Sequence, residues 1–260
     1  MLPLGSSISD EILSFSLPTE RDLFAELSDA ARWEEVGKGR QGAVLAAVDE
    51  RWGVPLVRTT TQYRHPTQPF REVHERLAQR IQERAGISVA FNNALVERYT
   101  NAYTTMGAHS DQALDLAEES FIAVFSCYRN PEAEPPRKLV VESKTSEGER
   151  VEIPLLHHGV VAFSVASNRR LRHRIVLEKP VPAVDNEWLG VTFRTSKTFL
   201  RFREGHALLA DGARLVAADE EQRQEFYRLR RRENSETDFA YPPLTYTLSG
   251  SDLLAVSDES

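Results

Sequence analysis

Seven short apolar segments follow one another between residues 93 and 196, and their spacing constrains the fold more than any other feature of the chain. They are NALVERYT (93–100), FIAVFSCY (121–128), RKLVVES (137–143), RVEIPLL (150–156), GVVAFSVA (159–166), HRIVLE (173–178) and WLGVTFRTS (188–196). Each is rich in Val, Ile, Phe or Tyr, whose branched or aromatic side chains suit a pleated surface. Between them lie NPEAEPP, KTSEGE, HHG and KPVPAVDNE, with the Pro, Gly, Asn and Asp of turns. Gly159 in LLHHGVV permits a tight hairpin between two of the segments. Many short strands at this spacing predict a sandwich or barrel, the jelly roll included.

The flanks read differently. Thr19 opens TERDLFAELSDAARW, where Leu23, Leu27, Ala30 and Ala31 share one helical face behind a Thr cap. Phe70, Val73, Leu77 and Ile81 repeat the pattern over 70–84, and Gly86 stops it; His74 is placed on the solvent side of that helix. Residues 217–238 predict a charged helix. Its basic run, Arg228 to Arg232, reads as a solvated face rather than a nucleic-acid patch. The last residues, SGSDLLAVSDES, read as a loosely held terminus. The expected organisation is a single mainly β domain with flanking helices. A mainly helical part (1–88) packs on a β core (89–203), and a charged helical extension follows (204–260).

Bulk properties exclude several classes. The chain has 260 residues, 41% apolar and 27% charged, as in globular proteins that bury one substantial core. No apolar run is long enough for a membrane-spanning helix, and the start lacks the basic and apolar regions of a signal peptide. The one cysteine, Cys127, cannot form an internal disulfide and is expected as a buried, inert thiol; a reducing cytoplasm is the expected location. A net charge of −7 argues against a whole-surface field for a phosphate backbone.

The chemistry is concentrated in MGAHSDQALDL (106–116). In extended backbone, residues i and i+2 point to the same side, so His109 and Asp111 can reach one metal ion. Two His and one carboxylate on one face of an octahedral metal leave three positions open, the arrangement of non-haem Fe(II) oxygenases. For the second His, His65, His74, His157, His158, His173 and His206 compete. His173 opens a strand directly after the loop SNRRLR, where a ligand can be aimed into a barrel mouth, and it is favoured over His158 in the turn. Arg194, in RTSKTF (194–199), offers a fixed fork of donors to a carboxylate, with the Ser196 hydroxyl on the same side.

Taken together, Glu97-Arg98-Tyr99, His109-Ser110-Asp111, His173 and Arg194-Thr195-Ser196-Lys197-Thr198-Phe199 resemble the AlkB-like family of Fe(II)/2-oxoglutarate dioxygenases in order and approximate spacing over 91–199. The resemblance implies a double-stranded β-helix (jelly-roll, cupin-like) core. It implies Fe(II), 2-oxoglutarate as co-substrate, and O₂, with His109, Asp111 and His173 as metal ligands and catalytic centre. It also implies Arg194 on the distal carboxylate of 2-oxoglutarate, supported by Ser196, with Tyr99 hydrogen-bonding the same molecule. Two positions depart from the family pattern. Glu97 stands where Asn is frequent, and Leu200 stands where a second Arg commonly follows the TF pair.

The implied reaction couples decarboxylation of 2-oxoglutarate, giving succinate and CO₂, to hydroxylation of a C–H bond. A small molecule or specialised metabolite is the expected substrate, favoured by the acidic net charge. The alternative is oxidative N-demethylation of nucleic-acid bases, for which Arg58, Tyr63 and Arg64 could line a substrate lid. A non-catalytic jelly-roll binding module is the third reading, and the complete residue set argues against it. Tyr103, Met106, Gln112 and Asp115 are the candidate substrate neighbours.

Overall fold

The computed structural model describes residues 7–132, 134–145, 149–178 and 186–256. The centre of the turn expected at 144–149, most of the connection at 179–187 and the last four residues lie outside them.

The N-terminal part holds β1 (Ile12–Ser16), α1 (Leu23–Asp29), β2 (Glu34–Gly37), β3 (Arg40–Ala46), β4 (Val54–Leu56), β5 (Gln68–Pro69) and α2 (Glu72–Ala85). The central part holds β6 (Asn93–Tyr99), β7 (Phe121–Tyr128), β8 (Lys138–Ser143), β9 (Arg150–Pro154), β10 (Gly159–Ser164), α3 (Val165–Arg170), β11 (Leu171–Val176) and β12 (Trp188–Arg194). Then follow β13 (Thr198–Arg203), β14 (His206–Leu208), β15 (Val216–Ala217), α4 (Glu220–Ser235) and β16 (Tyr246–Thr247). All seven predicted core segments are strands.

The major sheet runs β1-β10-β7-β12-β6-β3-β2, antiparallel throughout, with β5 added parallel to β3. A smaller antiparallel sheet, β11-β8-β9, faces it. This is a mainly β, jelly-roll core. Residues of β7, β10 and β12 alternate between two apolar layers, which is why these strands read as near-continuous apolar runs, whereas β9 and β11 alternate in burial. On one face Val96, Phe125, Cys127 and Phe193 pack under α1 and α2, with Leu27 and Ile81 fully buried. On the other, Tyr99, Val124, Val161 and Trp188 meet Leu139 and Val141 of the small sheet. Cys127 lies inside the first layer, where burial pushes its thiol pKa up.

Several expectations are corrected. The first part of the chain is not mainly helical: besides two helices, the described residues up to 88 supply five strands, three of which (β1, β3 and β4) pair with β10, β6 and β13 of the 89–203 part. These strands are short and bounded by charged turns, so their period is hard to see in sequence. Helix α1 starts later than predicted, capped by Asp22, whose side chain accepts from the Ala25 N–H. His74 is fully buried, not solvent-facing, and its Nδ1 accepts the Arg71 N–H at 3.0 Å. The HHG turn joins strands of different sheets rather than a hairpin, and its left-handed residue is His158 (φ 57). Gly86 does end α2 in the left-handed region, at φ 66. The tail is held in place. Helix α4 buries Phe226 and Leu229 against Phe239, Leu244 and Tyr246, and Ser249, Ser251 and Asp252 are buried beside Tyr63.

Candidate metal centre

The HxD segment meets β11 through a single antiparallel bridge. His109 N–H donates to His173 C=O at 2.9 Å, and His173 N–H returns to His109 C=O at 2.7 Å. The two imidazoles therefore stand side by side, with ring centroids 4.8 Å apart. Asp111, two residues on, points to the same side. Its Oδ1 lies 3.9 Å from His109 Nε2 and 3.5 Å from His173 Nε2. The three ligand atoms fall within 4.8 Å of one another.

Protonation suits a metal. His109 Nδ1 lies 2.9 Å from Gly107 C=O; a carbonyl only accepts, so Nδ1 carries the hydrogen and Nε2 presents a lone pair. Burial, then the neighbouring His173, lowers the His109 pKa to about 4. Asp111 is held well below the usual carboxylate range by the Arg194 guanidinium and the two imidazoles, despite its burial. Arg194 Nε and Nη2 both reach Asp111 Oδ2 at 2.7 Å, so Oδ2 is engaged and Oδ1 is left toward the histidines.

Side chains from two helices fix the HxD backbone. Asn168 of α3 accepts the Asp111 N–H and donates to the Asp111 C=O, both at 2.8 Å. From α4, Asn234 Oδ1 accepts the Ser110 N–H at 2.9 Å, Arg230 Nη2 donates to the Ser110 C=O, and Glu233 Oε1 accepts the Ala113 N–H at 2.8 Å. Positions 230, 233 and 234 share one helix face. The sequence reading missed this role. The arginines of the basic run pair within the helix: Arg228 with Glu225, Arg230 with Glu233 and Arg232 with Glu236.

The triad opens into a cavity of about 380 Å³ between β3, β6, β12 and the loop 57–61. Tyr103, Met106 and Gln112 line it. Asp115 is instead sealed in a pair with Arg58, with both Oδ atoms 2.8 Å from Arg58 donors. That removes Arg58 from the lid expected around it, and Tyr63 is buried as well.

The co-substrate residues are only partly where the resemblance put them. Arg194 and Tyr99 both line the cavity. In the β12–β6 register, however, Arg194 faces Asn93 while Tyr99 faces Trp188, six positions away and about 20 Å along the strand. Arg194 sits at the metal end, on Asp111. The Tyr99 hydroxyl donates to Glu97 Oε2 at 2.8 Å. Ser196 is turned out of the cavity: β12 ends at Arg194, and the Ser196 hydroxyl donates to Leu56 C=O between β12 and β13. One signal at the metal end was absent from the sequence reading. Asn93, 1% exposed, lines the cavity with its Nδ2 lacking a hydrogen-bond partner, a donor awaiting an acceptor.

A sequence profile of the 2OG-Fe(II) oxygenase superfamily matches residues 22–194. The chain belongs to that superfamily. Oxygenases of this superfamily use Fe(II), 2-oxoglutarate and O₂, and the donor set here fits: a neutral imidazole, an oriented carboxylate and a second imidazole for the metal, with Arg194 and the unpartnered Asn93 amide for an anion beside it. This oxygenase is similar to the solved structure of OsALKBH1, at 14% identity over 71% of this chain and 96% of that one, with a TM-score of 0.48. It is also similar to a Pseudomonas putida prolyl-4-hydroxylase, at 14% identity over 72% of this chain and 96% of that one, with a TM-score of 0.40. No curated protein sequence matches it. Among the described residues, no helix is long and apolar enough to cross a membrane. The α4 clamp lies beyond the matched residues.

Proposed function

We propose that this 2OG-Fe(II) oxygenase hydroxylates a C–H bond of a small-molecule or specialised-metabolite substrate, releasing succinate and CO₂. His109, Asp111 and His173 hold the Fe(II). Bound there with 2-oxoglutarate and O₂, the metal supplies the oxidising power for C–H hydroxylation. The protein's own groups do the rest. Arg194 keeps Asp111 ionised and turned, and the unpartnered Asn93 amide beside it would offer a donor to an anion held at the metal. Asn168, Asn234 and Arg230 keep the HxD backbone from shifting as ligands exchange. Tyr103, Met106 and Gln112 face the substrate side.

The observation that carries the small-molecule reading is the state of the arginines around the cavity. Arg40, Arg58, Arg194 and Arg230 each pair with a carboxylate of this chain, and so do Arg228 and Arg232 of the basic run. They form no free basic groove for a phosphate backbone. Tyr103 is the one aromatic other than the fully buried Tyr99 among the cavity-lining residues, so a flipped base would lack a pair of stacking faces.

The test is succinate release under air with Fe(II) and 2-oxoglutarate, first alone and then with candidate substrates. Stimulation by small molecules, with no salt-dependent binding of methylated single-stranded DNA or RNA, is the expected result. Stimulation by methylated oligonucleotides with a steep salt dependence would establish the nucleic-acid alternative instead. Absence of both succinate and an anaerobic Fe(II)·2-oxoglutarate absorption band would remove the dioxygenase reading.

A further inference from the structure

The end of the cavity away from the metal contains an ion pair that the motif comparison does not anticipate. Arg40, on β3, lies directly opposite Tyr99 in the β3–β6 register. Its Nε donates to Glu97 Oε1 at 2.8 Å and its Nη2 to the same oxygen at 2.5 Å. The other Glu97 oxygen accepts from Tyr99, so both carboxylate oxygens are occupied. Arg40 Nη2 also reaches the Thr61 hydroxyl at 3.4 Å, and the guanidinium lies 5.8 Å from the Tyr103 ring centroid.

Asn93, Leu95 and Glu97 of β6 line the cavity, and a dicarboxylate held at the metal would lie beside them. Its far carboxylate needs a cation. Four arginines line the cavity. Arg58 is spent on Asp115 and on the carbonyls of Leu244 and Tyr246. Arg194 is held at the triad end by Asp111, and Arg230 is on Glu233 and Ser110. Arg40 is the fourth. Its side chain is 20% exposed; the Tyr103 side chain bonds it beside Glu97 and Thr61, and among the described residues no carboxylate reaches its Nη1 edge.

Building on the dioxygenase reading above, we propose that Arg40 receives the distal carboxylate of 2-oxoglutarate on its Nη1 edge, while Glu97 anchors its Nε/Nη2 edge. Arg40 thus takes the part that the motif had suggested for Arg194. Glu97 has a second effect. Two carboxylates then share one guanidinium, and like charges at close range oppose each other. Glu97 therefore holds the receptor in place and weakens the binding of the co-substrate, which makes it a determinant of 2-oxoglutarate affinity. Gln at 97 would keep an acceptor for Arg40 and remove the repulsion.

The test compares two keto acids: 2-oxoglutarate, and 2-oxobutanoate, which chelates a metal the same way but lacks the distal carboxylate. Each is titrated anaerobically into the Fe(II)-loaded full chain, read by the visible absorption band and by the fluorescence of Trp188, whose ring lies 4.8 Å from Tyr99. Arg40→Met should weaken 2-oxoglutarate by roughly 10- to 100-fold, the scale of a lost charge-assisted hydrogen bond, and leave 2-oxobutanoate unchanged. Arg40→Lys should restore part of the loss, and Glu97→Gln should tighten 2-oxoglutarate alone. Equal loss of both keto acids in folded Arg40→Met and Arg40→Lys, or weaker 2-oxoglutarate binding in Glu97→Gln, would overturn the proposal. So would wild-type affinity for 2-oxoglutarate in Arg40→Met. If the wild-type chain binds neither acid, the dioxygenase reading itself falls and takes this proposal with it; if it binds both and the variants fail to discriminate, only the role of Arg40 is lost.

Discussion

Arg194–Asp111 and Arg58–Asp115 are both buried arginine–carboxylate pairs beside one cavity, and they sit within a few residues of each other on the HxD loop. Their remaining contacts differ. Asp115 gives both oxygens to Arg58, and Arg58 places its remaining donors on the carbonyls of Leu244 and Tyr246, in the C-terminal tail. The pair is 4% and 1% exposed, and every contact serves to tie the tail and the loop 57–61 to the core. Asp111 gives only Oδ2 to its arginine and keeps Oδ1 beside two imidazoles. A saturated pair is a structural fastening, whereas a pair with one oxygen left over is prepared for a ligand. The desolvation cost of burying charge is similar in kind for both; what differs is where the spare valence points.

Substitutions can break this contrast. Asp111→Ala should abolish Fe(II) binding, measured by loss of the anaerobic absorption band, with the fold intact by circular dichroism. Arg58→Met should do the reverse. Leaving Asp115 buried and unpaired should destabilise the chain by about 3–5 kcal/mol in denaturant titration, while the residual folded protein still binds metal. If Arg58→Met were stability-neutral and Asp111→Ala strongly destabilising, the assignment of the two pairs would be inverted. Arg194→Met tests the intermediate case. It should cost roughly 10- to 100-fold in Fe(II) affinity, as for other partners that orient a metal ligand, with Asp111 still present.

A smaller effect separates the metal end from the rest of the fold by pH. Burial lowers His74 to about 4, and burial with His173 lowers His109 to about 4. Both are neutral in the native chain near pH 6, whereas the unfolded chain takes up protons on them below its ordinary histidine value of 6.5. Their contribution to stability is therefore present above pH 6.5 and is lost as pH falls toward 4. Urea midpoints of the metal-free protein should decline across that window. His74→Gln should flatten the decline. A residual decline in His74→Gln that responds to His109→Gln would confirm that the metal end contributes separately, and a decline unaffected by either substitution would disprove the attribution.

The central strands were legible because burial on both faces writes them as near-unbroken apolar runs, and β7 appears at residues 121–128 as read; β9 and β11 were legible instead through alternation. The triad was legible because His109 and Asp111 are two apart and His173 belongs to a recognisable strand, although that strand starts at Leu171 rather than at His173. Strand β3 was not, since RQGAVLA has polar residues at its start and its identity as a strand comes from pairing with β6 on one side and β2 on the other. Nor could the RTSKTF segment reveal its register. Arg194 ends one strand, Ser196 turns away, and Thr198 begins another, so equal spacing in sequence leads to different sides of the sheet.

By itself, the sequence determined the class of fold, the metal-binding chemistry and the three residues that could carry it, because strand periodicity and ligand spacing are local properties. It also placed a charged helix near the end of the chain. Only the tertiary structure decided what the arginines do. Side chains as long as Arg40, Arg58, Arg194 and Arg230 find partners by geometry across the fold, at sequence separations of 57, 57, 83 and 120 residues. No spacing rule reaches that far. The cavity is therefore bounded by pairs that the sequence lists as isolated charges, and the position of each spare donor or acceptor follows from which partner the fold brought to it.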